Sequence, residues 1–265
     1  MVSHINKLEI RQHPEKLGAD ARHSRAAMAR NAAVRESIIF DFSGVIGPKF
    51  KSLESGQRIE KRILNLVWGE LNPSKEMLHE KIHELKRKHR TEALHATIKK
   101  ELDERGSRLD FDSILKTFYN AERHFIKHDF SAWKTHAKDI RSLRRSGFSL
   151  AIMSNSLGCY VEHFLEASGL SGNFDYVITP ERMGWKSKPG LSAYEHAIQI
   201  TGFLPESTIF VENKAENLTI PTEMGMLGLC IGDKHAPAAA AFDSRKDAFK
   251  FLLRVGHEKR KRAAT

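Results

Sequence analysis

The sequence predicts an α/β protein, with a parallel sheet covered by helices on both faces and an all-helical insert. Three observations predict it. Short β-branched and aromatic runs alternate with helix-spaced segments through the second half of the chain. Between the first such run and the rest, residues 56–128 show helical periodicity with no strand between them. Hydrophobic residues make up 40% of the 265, enough for one large core with an insert.

Taken in order, residues 1–34 are charged and weakly periodic, with a helix expected over 21–34. Ser37-Ile38-Ile39-Phe40-Asp41-Phe42 reads as a buried strand that ends in a tight turn at Ser43-Gly44. Four helical segments follow, marked by Ile59 to Leu71, Met77 to Leu85, Leu94 to Leu102 and Phe111 to Tyr119. Asn72-Pro73-Ser74 and Arg105-Gly106-Ser107 punctuate them. Beyond the insert the spacing predicts helices over 131–145, 159–167, 191–201, 215–224 and 247–255. Strands are expected over 148–153, 176–178, 208–211 and 227–231. The chain thus divides into an extension (1–34), a core (35–50 and 129–255), a helical insert (51–128) and a basic tail (256–265).

Composition excludes several classes. Charged residues make up 29%, and the longest apolar runs (37–42, 150–153, 224–231) fall far short of the 18 residues a spanning helix needs. With Cys159 and Cys230 as the only cysteines, a disulfide framework is excluded and a reduced, cytoplasmic setting is expected. The N-terminus lacks the apolar stretch of a secretory signal. The net charge of +10 suits an anionic ligand, and the tight run Lys259-Arg260-Lys261-Arg262 reads as a solvated tail. No membrane or nucleic-acid partner is expected, and the assembly expected is a monomer or homodimer.

In parallel sheets of this kind, ligands bind beyond the carboxyl ends of the strands. Asp41 ends the first strand, Ser154 and Asn155 follow the second, Lys186 and Lys188 precede the helix after the third, and Glu212-Asn213 ends the fourth. A carboxylate at a tight turn can attack phosphorus or carbon. A lysine beside it neutralises a transferring group. A hydroxyl and the amides of a helix start can hold phosphate oxygens. A second polar pair can complete a magnesium site.

These residues also carry a resemblance. Ile38 to Ile46 resembles the first motif of the haloacid dehalogenase (HAD) superfamily, and Ala151-Ile152-Met153-Ser154-Asn155-Ser156 resembles the second. Lys188-Pro189, with Tyr194 six residues after the lysine, resembles the third, and Phe210 to Asn217 the fourth. The resemblance spans about 37–233 and implies a Rossmann-like core with a helical cap between motifs one and two. It also implies that Asp41 is the nucleophile and a metal ligand, and that Ser154, Asn155 and Lys188 bind the phosphoryl group. The Ser43 carbonyl, Glu212 and Asn213 would complete a Mg²⁺ site, and Asn217 would order the fourth loop. The function implied is a Mg²⁺-dependent phosphatase of a small phosphorylated metabolite.

The chain departs from the family pattern at three places. Ser43 stands where HAD phosphatases usually carry an Asp acting as general acid and base, a loss of roughly 10²–10⁴-fold in catalysis. Asn213 replaces a usual metal carboxylate, and Gly190 a frequent Asp. Two further readings therefore stand beside the first. One is metal-free dehalogenation by the same aspartate, since halide needs no proton to leave. The other is a binding protein that keeps the fold without turnover. His79-Glu80-Lys81-Ile82-His83, with His89 beyond, matches a zinc-protease pattern. Lys86 stands where that pattern needs a glycine turn, so the match is read as the basic face of an insert helix. Substrate selection would fall to insert residues such as Lys49, Lys51, Trp68 or Tyr119.

Overall fold

The computed structural model describes residues 35–48, 137–233, 236 and 238–265, with single positions at 32, 58, 62, 103, 104, 113, 117 and 120. The rest of the extension, the packing of the insert, residues 131–136, the His79 to His89 run, Lys49, Lys51, Trp68 and Tyr119 lie outside the described residues. The single positions within the insert are all helical, as its periodicity predicts.

Six parallel strands form one sheet: β1 (Ser37–Asp41), β2 (Ser149–Met153), β3 (Tyr176–Ile178), β4 (Thr208–Glu212), β5 (Leu227–Ile231) and β6 (Ala240–Phe242). The described helices of the core are α1 (Ala137–Arg145), α2 (Gly158–Ala167), α3 (Leu191–Thr201), α4 (Thr219–Glu223) and α5 (Arg245–Ala263). The strand order is β3-β2-β1-β4-β5-β6.

Alternation along each strand builds the two faces. Ile38, Phe40, Leu150, Ile152, Ile209 and Val211 point to one side, into a core shared with α1, α2 and α5. Ile39, Ala151, Met153, Phe210 and Cys230 point to the other, where α3 and α4 lie. Every residue of β1 and β4 is buried, and each buried Ile, Val or Phe side chain contributes about 1.5–3 kcal/mol. The continuous apolar strands visible in the sequence are therefore the central ones, covered on both faces.

The strand order sets the site. The chain winds outward from β1 in two directions, so the loops after β1 and β4 diverge and leave a crevice at their carboxyl ends. Asp41 closes β1 and Glu212 closes β4. The loop after Asp41 is tightly tied: Ile46 and Gly47 donate to the Phe42 carbonyl at 3.1 and 2.8 Å, and Gly44 donates to the Gly47 carbonyl at 2.7 Å. Gly44 has φ 94°, a left-handed conformation that suits glycine. The Phe42 ring packs edge-on against Tyr160 and Phe164 of α2 and beneath Gly47.

Four expectations change. β1 stops one residue early, because Phe42 turns under Gly47 and enters the loop. The helix expected over 215–224 splits into a 3₁₀ turn (Ala215–Asn217) and the short α4. Pro221 sits in the first turn of α4, where its missing N–H leaves no intrahelical bond unmade. β6 was not expected: its alanines carry no strand signal, and it forms by pairing with β5 alone at the sheet edge. The closing helix, expected over 247–255, spans Arg245–Ala263. Ser244 caps it by accepting from the Asp247 N–H at 3.2 Å, and the basic run that reads as a tail continues it. No helix among the described residues is long and apolar enough to cross a membrane.

A Cβ at position 47 would lie 2.5 Å from the Phe42 ring. Gly47→Ala should therefore cost about 1–3 kcal/mol in urea unfolding. Combining it with Phe42→Leu should cost less than the sum of the two single changes.

Candidate active site

The four loops singled out in the sequence meet at one rim of the sheet. At the centre is the Lys188 ammonium, buried with 4% of the residue exposed. It donates to Asp41 Oδ1 at 2.5 Å and to Glu212 Oε2 at 2.8 Å. It lies 5.7 Å from the centroid of the Phe210 ring, which gives it a cation–π contact from β4. Lys186 is only partly buried, and it is Lys188 that reaches Asp41.

Glu212 is fully buried, and protein donors serve both its oxygens. Oε1 accepts from the N–H groups of Asn213 and Lys214 at 2.8 and 3.1 Å. Oε2 accepts from Lys188 and from the Asn217 amide at 2.9 Å. Asn217 is held in turn by Tyr194, whose hydroxyl donates to the Asn217 carbonyl at 2.7 Å. Sequence reasoning assigned Glu212 to a metal; among the described residues its oxygens accept from the lysine and the loop's own donors. Asn213 Oδ1 is buried and accepts no hydrogen bond among the described residues.

The loop after β2 makes the other wall. Ser154 is fully buried, and its Oγ accepts from the Ser156 N–H at 2.9 Å. The hydroxyls of Ser156 and Ser43 lie 3.3 Å apart and join this loop to the one after β1. Asn155, expected to bind phosphate, grips the lysine loop with its side chain. Its Nδ2 donates to the Lys188 carbonyl and its Oδ1 accepts from the Lys188 N–H, both at 2.9 Å. That pairing sets where the lysine side chain starts. Sequence reasoning missed it because nothing in the one-dimensional pattern links residues 155 and 188. In the sequence Phe210 reads only as a strand and motif residue, and Ser156 only as part of a motif.

Two carboxylates share one buried ammonium, so with both ionised the cluster holds an excess negative charge. Burial and then the facing Glu212 charge push the Asp41 carboxyl up to about 7, against the pull of Lys188. Burial alone would also raise Glu212, but Lys188 and the hydrogen bonds from Asn217 and the backbone outweigh it and hold Glu212 low. Burial works against the charge on Lys188, but Asp41 and Glu212 more than restore it and raise the ammonium above its ordinary range. The arrangement can hold a carboxylate in line with a buried cation, beside hydroxyl and amide donors suited to an anion.

Comparison with known proteins gives the family and the fold of the chain. The family described as haloacid dehalogenase-like hydrolase matches residues 38–226. A glyceraldehyde 3-phosphate phosphatase from Methanothermobacter thermautotrophicus is 24% identical over 148 residues. That match spans 50% of this chain and 65% of the relative. Among solved structures, a HAD phosphatase from Thermococcus onnurineus has a TM-score of 0.57 at 18% identity, covering 82% of this chain and 97% of the other. YfnB, a HAD-hydrolase from Bacillus subtilis bound to magnesium, has a TM-score of 0.52 at 18% identity over 82% and 98%. The L-2-haloacid dehalogenase of Xanthobacter autotrophicus with chloropropionic acid covalently bound has a TM-score of 0.52 at 14% identity over 82% and 98%. The chain belongs to the haloacid dehalogenase-like hydrolases.

The sign of the Asp41 shift gives a stability prediction. A raised carboxyl pKa means that ionisation opposes folding: the penalty is absent below the unfolded value near 4, grows as pH rises, and is complete above about 7. In the presence of a chelator, Asp41→Asn should stabilise the protein by roughly 1–3 kcal/mol at pH 8. The gain should shrink to a few tenths of a kcal/mol near pH 3.5 in thermal melts, where wild type carries little Asp41 charge in either state.

Proposed function

We propose that this hydrolase is a phosphatase of small phosphorylated metabolites, working through a phosphoryl group carried briefly on Asp41. The observation that supports it most is the meeting of the Asp41 carboxylate with the Lys188 ammonium beside the Ser154 loop. The similarity to two phosphatases supports the choice of phosphorus over carbon. In this reading, one Asp41 oxygen attacks phosphorus, the bond to the leaving oxygen breaks, and that oxygen takes its proton from solvent. Water then attacks phosphorus, releases orthophosphate and restores the carboxylate. Lys188 balances charge on the transferring oxygens, and Ser154 and the N–H groups of its loop hold them.

A divalent cation suits part of the donor set. The unpartnered amide oxygen of Asn213 is buried at this rim, and a hard cation takes amide as well as carboxylate oxygens. Asp41, the Ser43 carbonyl and Asn213 would hold Mg²⁺, and the donor-saturated Glu212 would support Lys188 instead. When bound, Mg²⁺ would supply charge neutralisation at the phosphoryl oxygens. Asn155 serves as a positioning residue, because it fixes the main chain from which Lys188 extends.

The similarity to a dehalogenase, together with an Asp41 already paired by Lys188, favours metal-free displacement at carbon as the second reading. Two substrate sets separate the readings. An aryl phosphate and sugar phosphates should be hydrolysed with added Mg²⁺ and spared with chelator. Release of chloride from 2-chloropropionate in chelator, with the phosphates untouched, would reverse the choice. Asp41→Asn should lower kcat by more than about 10³-fold, and Lys188→Met by about 10²–10³-fold. Asn155→Ala should lower kcat by about 10–100-fold with little change in KM, since it shifts a group whose work is done in the transition state.

A further inference from the structure

The chain's net positive charge is carried on two helices of the core, α1 and α5. α1 carries four cationic and one anionic side chains, and α5 carries eight and two. The two helices together therefore hold nine of the chain's net ten positive charges. Their C-terminal ends also meet. α5 crosses α1 so closely that a Cβ on Gly256 would lie 2.7 Å from Ser146 Oγ, and Arg260 donates to that hydroxyl at 2.5 Å. Lys259 donates to the Arg35 carbonyl just before β1 at 3.1 Å. The meeting point is the amino edge of the sheet, roughly 16 Å of strand away from the Asp41 rim.

Arg141, Arg144 and Arg145 of α1 and Arg260, Lys261 and Arg262 of α5 are exposed there. Arg144 pairs with Asp175 at 2.8 Å, and Lys261 with Glu258 at 3.6 Å. No carboxylate among the described residues pairs with Arg141, Arg145, Arg260 or Arg262. The negative end of a helix dipole accounts for a cation or two in each last turn, at about 0.3–1 kcal/mol apiece. It does not account for all four consecutive cations at 259–262, of which Lys259 and Arg262 lie three residues apart on one face and repel.

We propose that this ridge is a docking surface for the phosphodiester backbone of a nucleic acid. The charge is complementary, and arginine predominates, whose planar fork grips phosphate at two points. The exposed large hydrophobic residues among the described ones are Leu191 and Leu204, neither on α1 nor on α5, so the ridge offers nothing to insert into a bilayer. Because it faces away from the Asp41 rim, an occupant would leave the reaction site open.

The test is fluorescence anisotropy of the full-length chain with labelled single- and double-stranded oligonucleotides across a salt series. Binding is expected, with log K falling against log salt at a slope of about −5. The triple variant Arg145→Ala, Lys261→Ala, Arg262→Ala should reduce that slope by about 3 and weaken binding at least tenfold. Circular dichroism of the variant should match wild type. Absence of binding at low salt, or an undiminished affinity in the correctly folded variant, would overturn the proposal. So would equal affinity for polyglutamate of the same charge, or binding to phosphatidylserine vesicles without binding to oligonucleotides. Phosphate-ester hydrolysis is measured separately, so its failure leaves this result readable.

Discussion

One ammonium group between two buried carboxylates organises the rim of this protein. Lys188 cannot be removed without leaving Asp41 and Glu212 facing each other in a medium that screens poorly, and an uncompensated buried charge is strongly destabilising. The surrounding sequence serves this arrangement. Tyr194 holds Asn217, Asn217 holds Glu212, and Glu212 shares the lysine with Asp41. The chain of contacts joins α3, the 3₁₀ turn after β4 and the end of β1, so folding of three separate segments is needed before the lysine has its partners. The resulting site resists ionisation of Asp41, the group whose ionised form would be the nucleophile, and a phosphoryl oxygen or cation entering beside it would change that balance.

Much of this was legible in one dimension. The β-branched and aromatic runs at Ile38 to Phe40 and Ile209 to Val211 announced central strands, because strands covered on both faces must be apolar at every position. The residues just past those runs were then the ones to inspect, and the structure brings the side chains of Asp41, Lys188 and Glu212 into contact. What stayed hidden belongs to tertiary pairing. β6 is alanine-rich and owes its existence to a neighbour. The amide of Asn155 finds its partner 33 residues away. The extent of α5 was hidden because a run of cations carries no hydrophobic period, although its first part is anchored by Phe249, Leu252 and Val255.

The departures from the family pattern gain physical meaning in place. Ser43 brings a hydroxyl that pairs with Ser156 rather than a carboxyl that could shuttle a proton. A carboxylate at position 43 would enter a rim already burdened with more negative than positive charge. Asn213 is also neutral, and its amide oxygen has no donor among the described residues, while Glu212 beside it is crowded with them. Both substitutions lower the negative charge that a single lysine must balance.

The paired hydrogen bonds between Asn155 and the Lys188 main chain tie two loops that leave different strands. Those loops therefore travel as one rigid jaw: any shift that re-aims the Ser154 hydroxyl carries the lysine along with it. Lineages that remodel one loop while keeping the chemistry must preserve the handshake or replace it. Because it grips the main chain of residue 188 and not its side chain, the constraint falls on position 155, which should keep an amide, while the outward positions of α2 and α3 change freely.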